Sequence, residues 1–365
     1  MKKLNDIPST MMALVAHGPK DFRYEEVKTP AIDEDELLIK SLGCGICAGD
    51  VKSYHGAGMF WGDDINPPWQ IAPVNTGHEF FGEIVALGDN AAKKWNLTLG
   101  DWIIPEQIIP CWECRFCKSG LSYMCQKHDL YGFQSGVSDG GMADYVRINK
   151  RSVIHKVPKT LSVEQALMIE PASCAVHTVE RAEIGFGDVV VIAGMGPIGL
   201  CKLQLAKLKN PKMLIAIDAK PERLALAAEF GADVTINFAE EDSVKRVLDL
   251  TESYGCDIYI ESSGHPSAVV SGLQMIRKAG TFVEFSVFSS ETTVDWSIIG
   301  DRKELNLKGA HISGLEGYSI AIDFLNRGLL RTENITTHTF PLAEWEKAFE
   351  ISAKGNGSIK VLLKP

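Results

Sequence analysis

Up to about Leu161 the chain alternates short apolar runs with Gly and Pro punctuation, as at Glu36–Ser41, Phe80–Leu87 and Trp102–Pro105. Runs of this length, bounded by turn residues, predict the strands of a compact β-rich domain. Around Asp188 the rhythm changes to alternating strand and helix patterns. Asp188–Ala193 reads as a buried strand, followed by a glycine turn and a helical stretch to about Lys209. Met213–Ile217 is the next strand, and Pro221 suits the first turn of a helix that Gly231 closes. Val234–Asn237, Asp257–Glu261 and Thr281–Phe285 continue the series, with Gly280 closing the helix before the last of them, and Leu305–His311 adds one more strand. Alternating βαβ units predict a doubly wound parallel sheet, so the expected class is α/β with a second, β-rich domain. The expected division is 1–165 for the β-rich domain and 166–312 for the doubly wound one. The tail, 313–365, is expected to return to the first domain.

Composition changes this picture little. At 365 residues, 45% hydrophobic and 23% charged, the chain suits a globular enzyme of two domains. A net charge of −10 argues against nonspecific nucleic-acid or anionic-membrane partners. The opening MKKLNDIPST has no apolar core, so no signal peptide is expected. Apolar stretches are broken by glycine before the ~18 residues needed to span a bilayer. Nine cysteines in an unexported chain imply reduced thiols and metal use, and hence a cytoplasmic location.

Cys111, Cys114, Cys117 and Cys125 form a C-x2-C-x2-C-x7-C run. Four soft thiolates so close together can close a tetrahedral shell around zinc, and a full shell implies a structural metal. Two disulfides are the competing account, but the tight spacing suits a metal better. Downstream, Gly194-Met-Gly196-Pro197-Ile198-Gly199 follows the DVVVIA strand and opens a helix. In that context G-x-G-x-x-G marks a Rossmann dinucleotide loop, with the helix N-terminus facing a pyrophosphate. Asp218 ends the second strand, 19 residues past Gly199, where a carboxylate can bond ribose hydroxyls and repel a 2′-phosphate. NAD is therefore expected over NADP. Arg223 could cover the adenine end of the cofactor or simply be a solvated helix residue.

Three short pieces hold further ligand types: Gly45-Ile-Cys47-Ala-Gly-Asp50, Gly77-His78-Glu79 and Glu170-Pro171. Each alone has a bland account as a buried thiol, a strand histidine or an acid at a helix start. The stretch from Gly77 to Ala91 reads G-H-E-x2-G-x5-G-x2-A. With the cysteine lobe and the nucleotide loop in this order, the chain resembles the zinc-dependent medium-chain alcohol/polyol dehydrogenases over nearly its whole length. The resemblance implies a GroES-like catalytic domain beside the Rossmann domain, and two zinc ions per chain. By it, Cys47 and His78 are catalytic zinc ligands, and Glu170 stands where sorbitol-type enzymes use glutamate. Glu79 would bind the zinc or stand just behind it, trading places with Glu170 or a water. Three protein ligands leave a position for a substrate oxygen, and zinc lowers the pKa of a bound alcohol so that hydride can pass to the nicotinamide.

Two departures from the family pattern matter. Most relatives carry Ser or Thr two residues after the ligand cysteine, beginning a proton relay, whereas this chain has Gly49. Lys52, five residues after Cys47, is the expected substitute, because burial and positive neighbours would lower its pKa toward that of a general base. His55, Tyr54 or ordered water are the other carriers. The second departure is a longer segment between Cys47 and His78, with Met59, Phe60, Trp61 and Trp69. It reads as a lid, a wall of the substrate pocket, or a surface loop burying its own aromatics.

Cys44 and Cys47 could form a redox pair, and Cys174, Cys201 and Cys256 read as packed thiols. The Cys111–Gly120, Met124–Phe133 and Thr293–Ile299 segments resemble the erythritol/threitol-type polyol dehydrogenases more than the sorbitol or threonine enzymes. The expected activity is NAD-dependent oxidation of a secondary hydroxyl in a short polyol by a homodimer or homotetramer. A sorbitol- or L-threonine-type dehydrogenase is the alternative within the family, and a non-catalytic zinc or nucleotide sensor the alternative outside it.

Overall fold

A computed structural model describes residues 2–3, 7–288 and 290–365. The chain forms two units, Met1–Glu170 with Ile335–Pro365, and Pro171–Asn334. In the first, an eight-stranded sheet runs Ile154–Lys156, Trp102–Pro105, Glu79–Leu87, Leu37–Gly45, Lys360–Lys364 and Thr336–Pro341, with Lys2–Lys3 and Tyr145–Ile148 paired off this path. Alternation places Leu37, Ile39, Phe80, Ile84 and Leu363 in one buried core with Leu14 and Val146. The register of the central antiparallel pair positions the chemistry. Gly45 lies opposite Glu79, and Leu362 lies opposite Gly45 from the other side. The strand that leads into Cys47 thus ends beside the strand that begins at His78-Glu79, with the C-terminal strand alongside.

The second unit holds six parallel strands, numbered here within the unit: β1 (Val189–Ala193), β2 (Met213–Asp218), β3 (Val234–Asn237), β4 (Cys256–Glu261), β5 (Ile276–Glu284) and β6 (Asn306–Gly309). Their order is β3-β2-β1-β4-β5-β6, the doubly wound topology. All five residues of β1 are buried, as expected of a central strand with both faces covered. Together the two units are the α/β fold with a GroES-like and a Rossmann domain. No helix among the described residues is long and apolar enough to cross a membrane.

Two expectations need correction. The chain returns to the first unit at Ile335, not at 313. The helix Gly317–Asn326 stays with the second unit because Gly317 packs so close to Ser173 that a Cβ would meet its carbonyl oxygen at 2.6 Å. Arg331 also exchanges bonds with Gln204: its amide donates to Oε1 at 2.8 Å and its carbonyl accepts from Nε2 at 3.0 Å. The second correction concerns Gly280, which lies inside β5 instead of closing a helix. The preceding helix ends at Met275, where Lys303 Nζ donates to the carbonyls of Leu273, Gln274 and Ile276 at 2.6–2.8 Å. A distant cation thus takes the carbonyls that a helix end leaves unsatisfied.

Candidate functional site

The four lobe sulfurs, Cys111, Cys114, Cys117 and Cys125, all lie within 4.8 Å of one another. All nine cysteines are unbridged, so the disulfide account of the lobe is set aside. Trp112 takes φ +61°, which turns the chain sharply enough for the amides of Glu113 and Cys114 to donate back to Cys111 Sγ at 3.4 and 3.3 Å. The Cys111 amide donates in turn to Cys125 Sγ at 3.2 Å. Such N–H···S bonds stabilise thiolates. The amides of Cys117 and Gln126 lower the Cys114 pKa to about 6, while burial raises that of Cys117 to about 12. The set offers four converging sulfurs, already partly biased toward thiolate, which fits a structural zinc.

The strand register brings a second group together: one ligand atom each from Cys47, His78 and Glu79, again within 4.8 Å of one another. Cys47 is the N-cap of the helix Ala48–Tyr54, and its amide donates to Asp50 Oδ2 at 2.8 Å. The other oxygen of Asp50 stands 3.5 Å from His78 Nδ1, an ion-pair distance too long for a good hydrogen bond. Buried Asp50 therefore braces two members of the cluster at once. Burial opposes charge on His78, yet Asp50 and then Cys47 lift its pKa well above the ordinary imidazole value. Burial raises the Cys47 thiol pKa, and His78 partly offsets this. A thiol, an imidazole and a carboxylate, with His78 Nδ1 lacking a hydrogen-bond partner, are a donor set suited to zinc.

Glu170 does not join this group. It is buried and accepts a hydrogen bond from Gln107 Nε2. Glu79 is paired instead with Lys360, whose Nζ also donates to the Ile46 carbonyl at 3.0 Å. Lys360 is 2% exposed, and although burial opposes its charge, Glu79, Cys47 and Glu170 together keep its pKa above the ordinary lysine value. Sequence reasoning missed this residue. The signal was a lysine inside the apolar run Ile359-Lys360-Val361-Leu362-Leu363. The role of Asp50 was equally unassigned, since its spacing from Cys47 only acquires meaning once His78 stands beside it.

The long segment before His78 packs its aromatics together beside that histidine. Phe60 is buried and stacks on Phe133 at 5.5 Å; Trp69 packs on the same ring at 4.9 Å, and Phe133 stands 5.6 Å from His78. A Cβ on Gly49 would stand 3.8 Å from both Cys47 Sγ and Phe60 Cζ, an ordinary contact distance. Of the relay candidates, Lys52 is half-buried on the helix that Cys47 caps. Tyr54 is packed among Phe22, Trp345 and Phe349, and His55 is exposed with its ring against Tyr54.

In the second unit Gly196 is the N-cap and Pro197 the first residue of the helix Pro197–Leu208, with Ile198 and Gly199 in its first turn. A Cβ on Gly199 would meet the Gly194 carbonyl oxygen at 1.9 Å, so this turn excludes any side chain there. One on Gly196 would meet nothing within 4 Å, which leaves the open approach a pyrophosphate needs. Asp218 ties the strand to this loop: Oδ2 accepts from the Met195 amide at 2.7 Å and Oδ1 from the Lys220 amide at 2.9 Å. Each oxygen keeps acceptor capacity for a ribose hydroxyl. Arg223 Nη1 stands 4.0 Å from Asp218. These residues fit NAD.

The chain is similar to known proteins over nearly its whole length. Residues 33–159 match the family model of the alcohol dehydrogenase GroES-like domain, and residues 197–327 match that of the zinc-binding dehydrogenases. The chain is 49% identical over 361 residues, 99% of each protein, to the erythritol/L-threitol dehydrogenase of Mycolicibacterium smegmatis. Among solved structures, an alcohol dehydrogenase of E. coli CFT073 complexed with NADH is similar at a TM-score of 0.86 and 26% identity, over 98% of this chain and 100% of that one. The 2R,3R-butanediol dehydrogenase of Bacillus subtilis is similar at 0.84 and 27%, over 97% and 99%.

Proposed function

Since this chain belongs to the zinc-binding dehydrogenases, with zinc and NAD as its cofactors, we propose that it oxidises a secondary hydroxyl of a short polyol of the erythritol or threitol kind. The observation that carries the substrate class is the full-length identity to an erythritol/L-threitol dehydrogenase. The Cys47, His78 and Glu79 cluster supports the chemistry. A zinc held there supplies Lewis acidity that eases loss of the hydroxyl proton.

The chain's own residues do the rest. Asp50 orients Cys47 and His78, and Phe133 with Trp69 and Phe60 walls the site against water. Gln107 and Lys360 each hold one of the two carboxylates, Glu170 and Glu79. Either carboxylate can therefore serve the metal by changing hydrogen-bond partner. In the absence of a hydroxyl at Gly49, Lys52 carries the proton away from the site, with Tyr54 disfavoured by its aromatic packing. Asp218 holds the adenine ribose and selects NAD over NADP. The proposal includes two zinc ions per chain, a cytoplasmic location supported by nine free thiols, and assembly as a homodimer or homotetramer.

The test is a side-by-side measurement of initial rates of NAD reduction with three- to six-carbon polyols and threonine. The highest kcat/KM is expected with a four-carbon polyol. Preference for sorbitol or threonine would move the substrate assignment, and absence of NADH formation across the panel would remove the activity.

A further inference from the structure

Lys202 lies three residues past Gly199 on the helix Pro197–Leu208, and its side chain is 0% exposed. Lysine is almost never so buried unless paired. Its Nζ donates to Ser262 Oγ at 2.8 Å and stands 4.1 Å from the centre of the Phe285 ring. The groups whose charge acts on it are Glu261 at the end of β4, Glu284 at the end of β5, Cys174 in the helix Ile169–Ala182 and Cys201 in its own helix. Burial brings the lysine pKa down to about 7, against the opposing pull of Glu261 and these neighbours, and burial raises that of Glu284.

The place of this amine in the sheet gives it meaning. Ser262 follows β4; its amide donates to the Ala193 carbonyl at 2.8 Å, and a Cβ on Gly194 would strike its backbone at 2.8 Å. Phe285 follows β5. The ammonium therefore lies at the C-terminal ends of β1, β4 and β5, where a doubly wound sheet binds its ligand. The order β3-β2-β1-β4-β5-β6 divides into two mononucleotide halves. Asp218, at the end of β2, serves the adenosine half, which leaves the half of β4 and β5 for the nicotinamide nucleotide. The two redox forms of that ring differ by one positive charge, NAD⁺ being cationic there and NADH neutral.

We propose that Lys202 sets the relative affinity of the protein for NAD⁺ and NADH, its buried ammonium opposing the cationic ring and leaving the neutral ring unopposed. It touches neither nucleotide and acts by charge, as a residue that poises the cofactor. The inference rests on the NAD-binding reading of the glycine loop. At an effective dielectric of about 20, unit charges within about 10 Å of each other alter a binding constant by roughly tenfold or more, a change that titration resolves.

Dissociation constants of NAD⁺ and NADH should be measured by fluorescence titration of the zinc-loaded full chain. The proteins compared are wild type, Lys202→Met and Lys202→Gln, each at pH 6 and pH 8.5. At pH 6 the ratio Kd(NAD⁺)/Kd(NADH) is expected to fall at least about fivefold in either variant. In the wild type the ratio should also fall as pH rises, because the ammonium loses its proton. Deprotonation of Glu284 acts in the same direction and accounts for any dependence left in the variants. A purely structural lysine would shift both constants together. A ratio within about twofold of wild type at pH 6 in a folded variant would overturn the inference, as would a wild-type ratio that ignores pH. If neither variant folds, Lys202→Arg, whose charge does not titrate in this range, replaces them: a ratio that falls from pH 6 to pH 8.5 as much in Lys202→Arg as in the wild type would overturn the inference. Failure of the wild type to bind either nucleotide would overturn the cofactor reading itself.

Discussion

Asp218 shows how much one carboxylate can decide. Its two oxygens already hold the amides of Met195 and Lys220, so the side chain is fixed in place before any cofactor arrives. Asp218→Ala should weaken NAD binding by roughly 1.5–3 kcal/mol, the scale of hydrogen bonds to a charged group. It should weaken NADP binding much less, and calorimetry with both nucleotides checks this. Equal catalytic efficiency of the wild type with NAD and NADP would show the assignment to be wrong. Lys52 is the second residue whose role one substitution can read. Lys52→Met should reduce turnover by about 10²-fold and abolish the rise of kcat with pH that a general base requires. Gly49 has room for a side chain, so Gly49→Ser in the same background should fold normally and recover part of the rate. An unchanged rate and pH profile in Lys52→Met would assign the proton to water or His55.

At the scale of elements, the cysteine lobe and the paired strands predict different fates for their metals. The lobe is a short loop system whose amides already point at sulfur, so its zinc should be held tightly and should hold the loop in turn. The cluster of Cys47, His78 and Glu79 is assembled by strand register and has a competing cation in Lys360. Its zinc should leave first under chelation. Cys111→Ser should lose one zinc and lower the melting temperature. Cys47→Ser should lose the other zinc and all turnover, with circular dichroism unchanged. Elemental analysis that finds a single zinc in fully active protein would contradict this division of roles.

For the whole molecule, the second unit exposes a feature that self-association would cover. Among the described residues strand β6 pairs only with β5, and Leu307 on it is 46% exposed, while Trp296 nearby in the chain is 71% exposed. An unpaired edge with large apolar residues marks an interaction surface. In the homo-oligomer proposed above, a second copy of the chain would meet it by the two-fold pairing that homo-oligomers most often use. Trp296→Glu combined with Leu307→Lys should turn a dimer or tetramer into monomers in light scattering. A wild type already monomeric at micromolar concentration would remove the prediction.

What the sequence determined by itself was mostly local, Gly280 being the exception. The strand–helix rhythm after Asp188, the glycine loop with its acid 19 residues on, and the cysteine spacing are short-range patterns. Backbone sterics and ligand geometry read such patterns directly. What only tertiary structure decided was which distant groups meet. Lys303 ends a helix nearly thirty residues away, the helix Gly317–Asn326 stays with the second unit, and Lys360 reaches Glu79 across 281 positions. Glu170 bonds Gln107 while Glu79 joins Cys47 and His78, and no spacing along the chain distinguishes those two carboxylates. Lys202 likewise passes for an ordinary helix residue until the ends of β4 and β5 close around it. Buried charges choose their partners through the register of strands and the packing of helices, and both are set by the whole core.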